Sequence, residues 1–201
     1  MNDGRILHGD AESQWWDSLE GDDQSNNAYG VPHYDVEAVG TFVVEHLQIR
    51  PHHKALDIGC GPGRLARDVI ARSGCTLVGI DVAPSMVAVA RAGGPGTYLA
   101  SDGASIPVDG PFDAAYAVTV FQHIRHDIVR SYMHRTLERL VPGGRLLFSF
   151  ADGDEDHFLS HQATAVSMMG WMYEAGFGNV HQVPTPADHP AWSWMIGEVP
   201  A

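Results

Sequence analysis

Apolar positions along this chain recur with two different periods. Short continuous runs, Lys54–Ile58, Thr76–Ile80, Thr97–Ala100, Phe112–Val118 and Arg145–Phe150, read as buried strands. The stretches between them carry helical spacing. Apolar residues at 36, 39, 43, 44 and 47 predict a helix from Val36 to Leu47, ahead of the first strand. Arg64–Arg72 predicts the next. Pro84 suits the first turn of a third helix through Arg91, which Gly93-Gly94-Pro95-Gly96 stops. A further helix is expected from about Asp127 to Leu140, closed by Val141-Pro142-Gly143-Gly144, and another ends at Glu174-Ala175-Gly176-Phe177. Val180–Val183 and Trp192–Val199 read as two last strands, antiparallel to each other at a sheet edge. Strands alternating with helices predict an α/β fold with a largely parallel sheet.

One junction stands out. The strand Lys54–Ile58 runs directly into Gly59-Cys60-Gly61-Pro62-Gly63, and a helix starts at Arg64. Strand, glycine turn and helix open a nucleotide-binding βαβ unit: the glycines let the backbone approach a ligand, and the helix N-terminus offers free N–H groups. The second strand ends in Asp81, where a carboxylate can accept from both ribose hydroxyls of an adenosine. The glycines run G-x-G-x-G, because Arg64 follows Gly63, and this is not the dinucleotide pattern G-x-G-x-x-G. Asp57, two residues before the first glycine, sits awkwardly beside a pyrophosphate. It suits a ligand that carries a free amino group and a sulfonium.

On the pattern Leu56 to Gly63, Phe112-Asp113, Gln122-His123 and the Leu-x-Pro-Gly-Gly turn at 140 to 144, the chain resembles the class I S-adenosylmethionine-dependent methyltransferases. The resemblance is to the small-molecule type and covers nearly the whole chain. It implies a Rossmann-like, seven-stranded, mostly parallel sheet with helices on both faces and an antiparallel edge strand. It also implies S-adenosyl-L-methionine as cofactor. Asp57, Gly59, Gly61 and Gly63 would then cradle the methionine moiety, with Asp81 at the ribose and Met86 beside the adenosine. Asp102 would accept from the adenine amino group, while the N–H groups of Gly103 and Ala104 face its ring nitrogens. Cys60, Val82, Ala117 and Val118 complete the implied cofactor site. For Asp102-Gly103 a plain turn reads equally well from the dipeptide.

Methyl transfer needs an acceptor atom held against the methyl carbon with water excluded, and a hydroxyl acceptor gains from a nearby base. His123, just past the fourth strand, is the candidate base. The other reading is that it only buttresses the loop. The family often has a second ionisable group before it, where this chain has Gln122. Oxygen is therefore the expected acceptor atom, with nitrogen or carbon as the alternative. A catalytically silent cofactor-binding or scaffold protein on the same fold is a further alternative.

Charge narrows the partners. Twelve Lys+Arg against 25 Asp+Glu leave a net charge of −13, which disfavours a nucleic-acid backbone. Ala117-Val118-Thr119-Val120 also lacks an Asn-Pro-Pro-Tyr-like motif for nucleobase methylation. No apolar run approaches membrane-spanning length, and two cysteines make no disulfide framework, so a cytoplasmic monomer or homodimer acting on a small molecule is expected. Residues 1–34, acidic and holding Trp15-Trp16, read either as a partly disordered arm or as a lid on the methyltransferase domain at 35–201. His157 and His161 beside Asp152, Asp154, Glu155 and Asp156 lack the spacing of a metal site, so no metal is expected.

Overall fold

The computed structural model of the protein describes Gln14 and residues 35–154, 160–185 and 192–201. The expected arm or lid lies outside the described residues apart from Gln14, and so does His157. Helix α1 (Val36–Leu47) starts at Asp35, whose carboxylate accepts from the N–H groups of Glu37 and Ala38. Then follow β1 (Lys54–Ile58), α2 (Arg64–Ser73), β2 (Thr76–Asp81), α3 (Pro84–Ala92), β3 (Thr97–Ala100) and β4 (Phe112–Ala117). A single 3-10 turn (Phe121–His123) leads into α4 (His126–Leu137), β5 (Leu140–Phe150), α5 (Ala165–Ala175), β6 (Gly178–Val183) and β7 (Ser193–Glu198).

The seven strands form one sheet in the order β3-β2-β1-β4-β5-β7-β6. Pairing is parallel from β3 through β5, and β7 runs antiparallel to both β5 and β6. The order reverses between β1 and β4, so the C-terminal ends of these two strands flank the crevice where open α/β sheets bind ligands. Strand alternation divides the core into two layers. On one face Ala55, Leu77, Tyr116, Leu147 and Trp194 pack under residues of α1, α2 and α3. On the other, Leu56, Ile58, Leu146, Phe148 and Met195 pack under residues of α4 and α5. The central strands are therefore apolar on both sides, as buried parallel strands must be.

Two boundaries differ most from the sequence reading. Helix α4 ends at Leu137, and β5 begins at Leu140 instead of Arg145. The Pro142-Gly143-Gly144 segment belongs to the strand as an irregularity: Leu140 pairs with Phe112, and the register shifts before Arg145 pairs with Ala114. Gly143 takes φ 78° and donates its N–H to Val199, while the Val199 N–H donates back to Gly144. Glycine makes such a bulge without steric cost, so a pattern that reads as a helix stop serves here as a strand entry.

Phe148 is fully buried and its ring lies 4.9 Å from that of Phe121, on the turn that carries His123. Phe148→Ala is expected to cost about 3–5 kcal/mol in denaturant unfolding. A cost under about 1 kcal/mol would show that this contact does not anchor the turn.

Candidate active site

The site is built from the loops at the C-terminal ends of β1, β2, β3 and β4. After Ile58 the chain reverses through Gly59, Gly61 and Gly63, with φ values of 73°, 51° and 75°. The Gly59 and Cys60 N–H groups both donate to the Ile80 carbonyl, pinning the turn to the end of β2. Each glycine has its own reason. A side chain at Gly59 would run into Val120, and one at Gly63 would press on Ala90 and the Tyr98 ring at 3.1–3.2 Å. At Gly61 nothing lies within 4 Å of a Cβ position, so the turn is open there.

Asp81 secures this turn from the far side. One carboxylate oxygen accepts from the Gly61 N–H at 2.7 Å, the other from the Ala83 N–H at 2.9 Å. Burial raises the Asp81 carboxyl above its usual range, and these backbone donors offset part of the rise. A carboxylate offers about four lone-pair positions, so two bonds leave capacity for ribose hydroxyls.

Asp57 is 2% exposed, and its Oδ2 has no hydrogen-bond partner among the described residues. The register sets Tyr116 of β4 directly beside it. The Tyr116 hydroxyl is also unpartnered and buried, so the two groups sit close without closing a hydrogen bond. Burial pushes the Asp57 carboxyl up to about 8; the Tyr116 hydroxyl lowers it and the Asp81 charge adds to the rise. The Cys60 thiol is raised as well, chiefly by burial, and donates only a weak contact to the Gly61 carbonyl at 3.6 Å. It stays a thiol.

At the third loop, Asp102 is exposed, and one of its oxygens accepts from the Ala104 N–H, the Ser105 N–H and the Ser105 hydroxyl. These donors hold its carboxyl below the usual range. The turn-forming reading of Asp102-Gly103 is thus realised, and the second oxygen is not used by it. The loop joins the site through the Ser101 N–H, which donates to Asp81's carbonyl, and through Gly103, whose Cβ position lies 3.3 Å from Val82. Met86 is buried on α3, while Ala117 and Val118 are buried at the end of β4.

The fourth loop carries His123. Its N–H donates to the Val120 carbonyl, closing the 3-10 turn. Gln122 is 4% exposed; its carbonyl accepts from the His161 N–H at 2.6 Å, and its Oε1 is unpartnered among the described residues. The His126 ring lies 5.0 Å from Trp171 and 6.0 Å from His161. Among the described residues no group of three or more His, Cys, Asp or Glu is placed to hold a metal ion. None of their helices is long and apolar enough to cross a membrane.

Sequence reasoning missed Tyr116, Thr119, Val120 and Ser149. Tyr116 lies inside an apolar strand, and no motif marks it. Thr119 has φ 60°, uncommon for a β-branched residue, and neither it nor Val120 is a turn former. Ser149 did carry a signal, as the polar residue within Leu146-Leu147-Phe148-Ser149-Phe150.

A sheet with this order, a glycine turn at its switch point and an acid at the end of β2 define a Rossmann-like α/β fold of the kind that binds nucleotides at that point. Residues 55–144 match the family described as a methyltransferase domain. Trans-aconitate 2-methyltransferase of Rhizobium rhizogenes is 30% identical over 148 residues, 72% of this chain and 57% of that protein. Ubiquinone biosynthesis O-methyltransferase of Xanthomonas campestris is 28% identical over 154 residues, 68% of this chain and 56% of that one. The chain thus spans little more than half the length of these relatives. Human N-acetylserotonin methyltransferase, solved with S-adenosylmethionine, superposes with a TM-score of 0.65 at 16% identity, covering 81% of this chain and 52% of that one. The cyclase SpnF superposes at 0.69 and 17% identity, covering 82% of each chain. Residues 55–144 thus form a methyltransferase domain, and the fold as a whole is that of the class I S-adenosylmethionine-dependent methyltransferases.

Asp57 makes the domain pH-sensitive. A carboxyl at 3.8 when unfolded and about 8 when folded keeps its proton only in the folded state through that window. Stability is therefore unaffected below about pH 4 and falls as pH rises towards 8. Removing the group with Asp57→Asn should give a melting-temperature difference from wild type that shifts in the variant's favour between about pH 5 and pH 8. A difference that stays constant with pH would show that Asp57 ionises normally in the fold.

Proposed function

We propose that the chain transfers the methyl group of S-adenosylmethionine to an oxygen of a small-molecule acceptor. The observation that carries the reading is the buried, unpartnered Asp57 oxygen beneath a glycine turn that is open at Gly61. An uncompensated buried carboxyl calls for a cationic partner, and the donor's ammonium and sulfonium supply positive charge. The residues fit the cofactor. Asp57 and the turn at Gly59, Cys60, Gly61 and Gly63 would hold the methionine end. Asp81 with Val82 would take the ribose, and Met86, Asp102, Gly103 and Ala104 the adenine end. Ala117 and Val118 would face it from β4.

S-adenosylmethionine supplies a sulfonium-activated methyl group that an acceptor atom displaces in line. The protein's share is orientation and exclusion of water. His123 sits past β4, beside the donor loops, where it would hold the proton of a hydroxyl acceptor. One relative's name supports oxygen as the acceptor atom, an O-methyltransferase of ubiquinone biosynthesis, and another is named for a small acceptor, trans-aconitate. SpnF bears the same fold under the name of a cyclase, so product formation and not binding alone decides the activity.

Calorimetric titration with S-adenosylhomocysteine should give micromolar binding that Asp81→Ala weakens at least tenfold, with NAD as a silent control. Binding of NAD alone would overturn the reading.

Acceptor chemistry then sets the role of His123. With a phenol acceptor, His123→Ala should lower kcat by about 100-fold, the usual contribution of a general base. With trans-aconitate it should change little, because a carboxylate is already ionised at neutral pH. Equal losses on both acceptors would make His123 a structural residue of the loop.

A further inference from the structure

Thr119 is the strained point of the site. It is β-branched, yet its φ of 60° lies in the left-handed region, which such residues enter only where their surroundings leave no other choice. Its N–H donates to the Ser149 hydroxyl at 2.8 Å. Ser149 is fully buried on β5, opposite Trp194 of β7 and between Phe148 and Phe150. A hydroxyl in such an apolar strand is unfavourable unless it is bonded, so this contact is also what makes Ser149 tolerable there.

The peptide held in this way controls two further contacts. Val120 follows at once, and its side chain occupies the space that a Cβ on Gly59 would need. Its carbonyl accepts the N–H of His123 and so starts the 3-10 turn. One hydrogen bond from the middle of the sheet therefore sets both the wall against the glycine turn and the position of the candidate base.

Resting on the donor-site reading above, we propose that Ser149 is a positioning residue: its hydroxyl holds Thr119 in the left-handed conformation and thereby keeps Val120 seated on the glycine turn. Without that acceptor, Thr119 relaxes to negative φ and Val120 leaves the turn. The donor site then loses its wall on the β4 side.

The test uses the full chain, S-adenosylhomocysteine calorimetry and thermal unfolding. Ser149→Ala should weaken binding about tenfold, the effect of losing roughly one hydrogen bond, while Ser149→Thr, which keeps the hydroxyl, should bind more tightly than Ser149→Ala. Glycine takes φ of this sign without strain, so Thr119→Gly added to Ser149→Ala should recover most of the lost affinity. A residue that matters only for core stability would lower the melting temperature without this rescue. Thr119→Pro sits at a half-buried loop position and spares the core; it removes the donor N–H and forbids positive φ, and should bind at least tenfold more weakly. Unchanged affinity in Ser149→Ala or Thr119→Pro, or no recovery in the double variant, overturns the proposal. Failure of the wild-type chain to bind at all would overturn the donor reading itself.

Discussion

The site depends on a chain reversal that only glycine can make. Between β1 and α2 the backbone passes through three positive φ angles within five residues, and its N–H groups are tied to the end of β2 through the Ile80 carbonyl and the Asp81 carboxylate. That pinning fixes where α2 begins. It also fixes how closely the turn can approach β4, because the absence of a side chain at Gly59 is what admits Val120. Replace Gly59 by any other residue and the conflict falls on Val120 in the loop after β4 as well as on the turn. The first and fourth loops are thus one packed unit, although Gly59 and Val120 stand far apart in sequence.

Around this unit the protein buries acid. Asp57 and Asp81 lie within mutual electrostatic reach, and burial raises both. Asp81 has backbone donors to offset that cost, while Asp57 has only an unclosed approach to Tyr116. The two carboxyls therefore differ in what a ligand can offer them. A cation brought against Asp57 would draw its proton off, so under the proposed reading donor binding would release a proton there. Asp81 needs no charge from the ligand, only hydroxyl donors to fill its remaining lone pairs. That division matches a ligand with an ammonium at one end and a ribose in the middle, and it matches a pyrophosphate poorly.

The sheet and its helices were legible because the parallel strands are buried on both faces and read as unbroken apolar runs. The glycine turn, Asp57 and Asp81 were legible because their chemistry needs particular residue types at fixed places along the chain. The start of β5 was not, since Pro142-Gly143-Gly144 carries the same letters whether it stops a helix or bulges a strand, and only the pairing with Phe112 and Val199 decides. Thr119 was illegible for a different reason. Its conformation is imposed by Ser149, 30 residues later, and no local preference announces it. Tyr116 gained its significance from the register that places it beside Asp57, and register across parallel strands is a tertiary fact.

Under the proposed reading, the donor site and the neighbours of the candidate base come from different parts of the chain. The family match ends at residue 144, and within 55–144 lie the glycine turn, Asp57, Asp81, Asp102 and the His123 turn. Beyond it, β5 contributes Ser149 to the support of that turn, and the segment after β5 brings His161 and Trp171 against Gln122 and His126. The wall past β5 can therefore vary without disturbing the glycine turn, provided the Ser149 bond and the Gln122–His161 backbone link are kept.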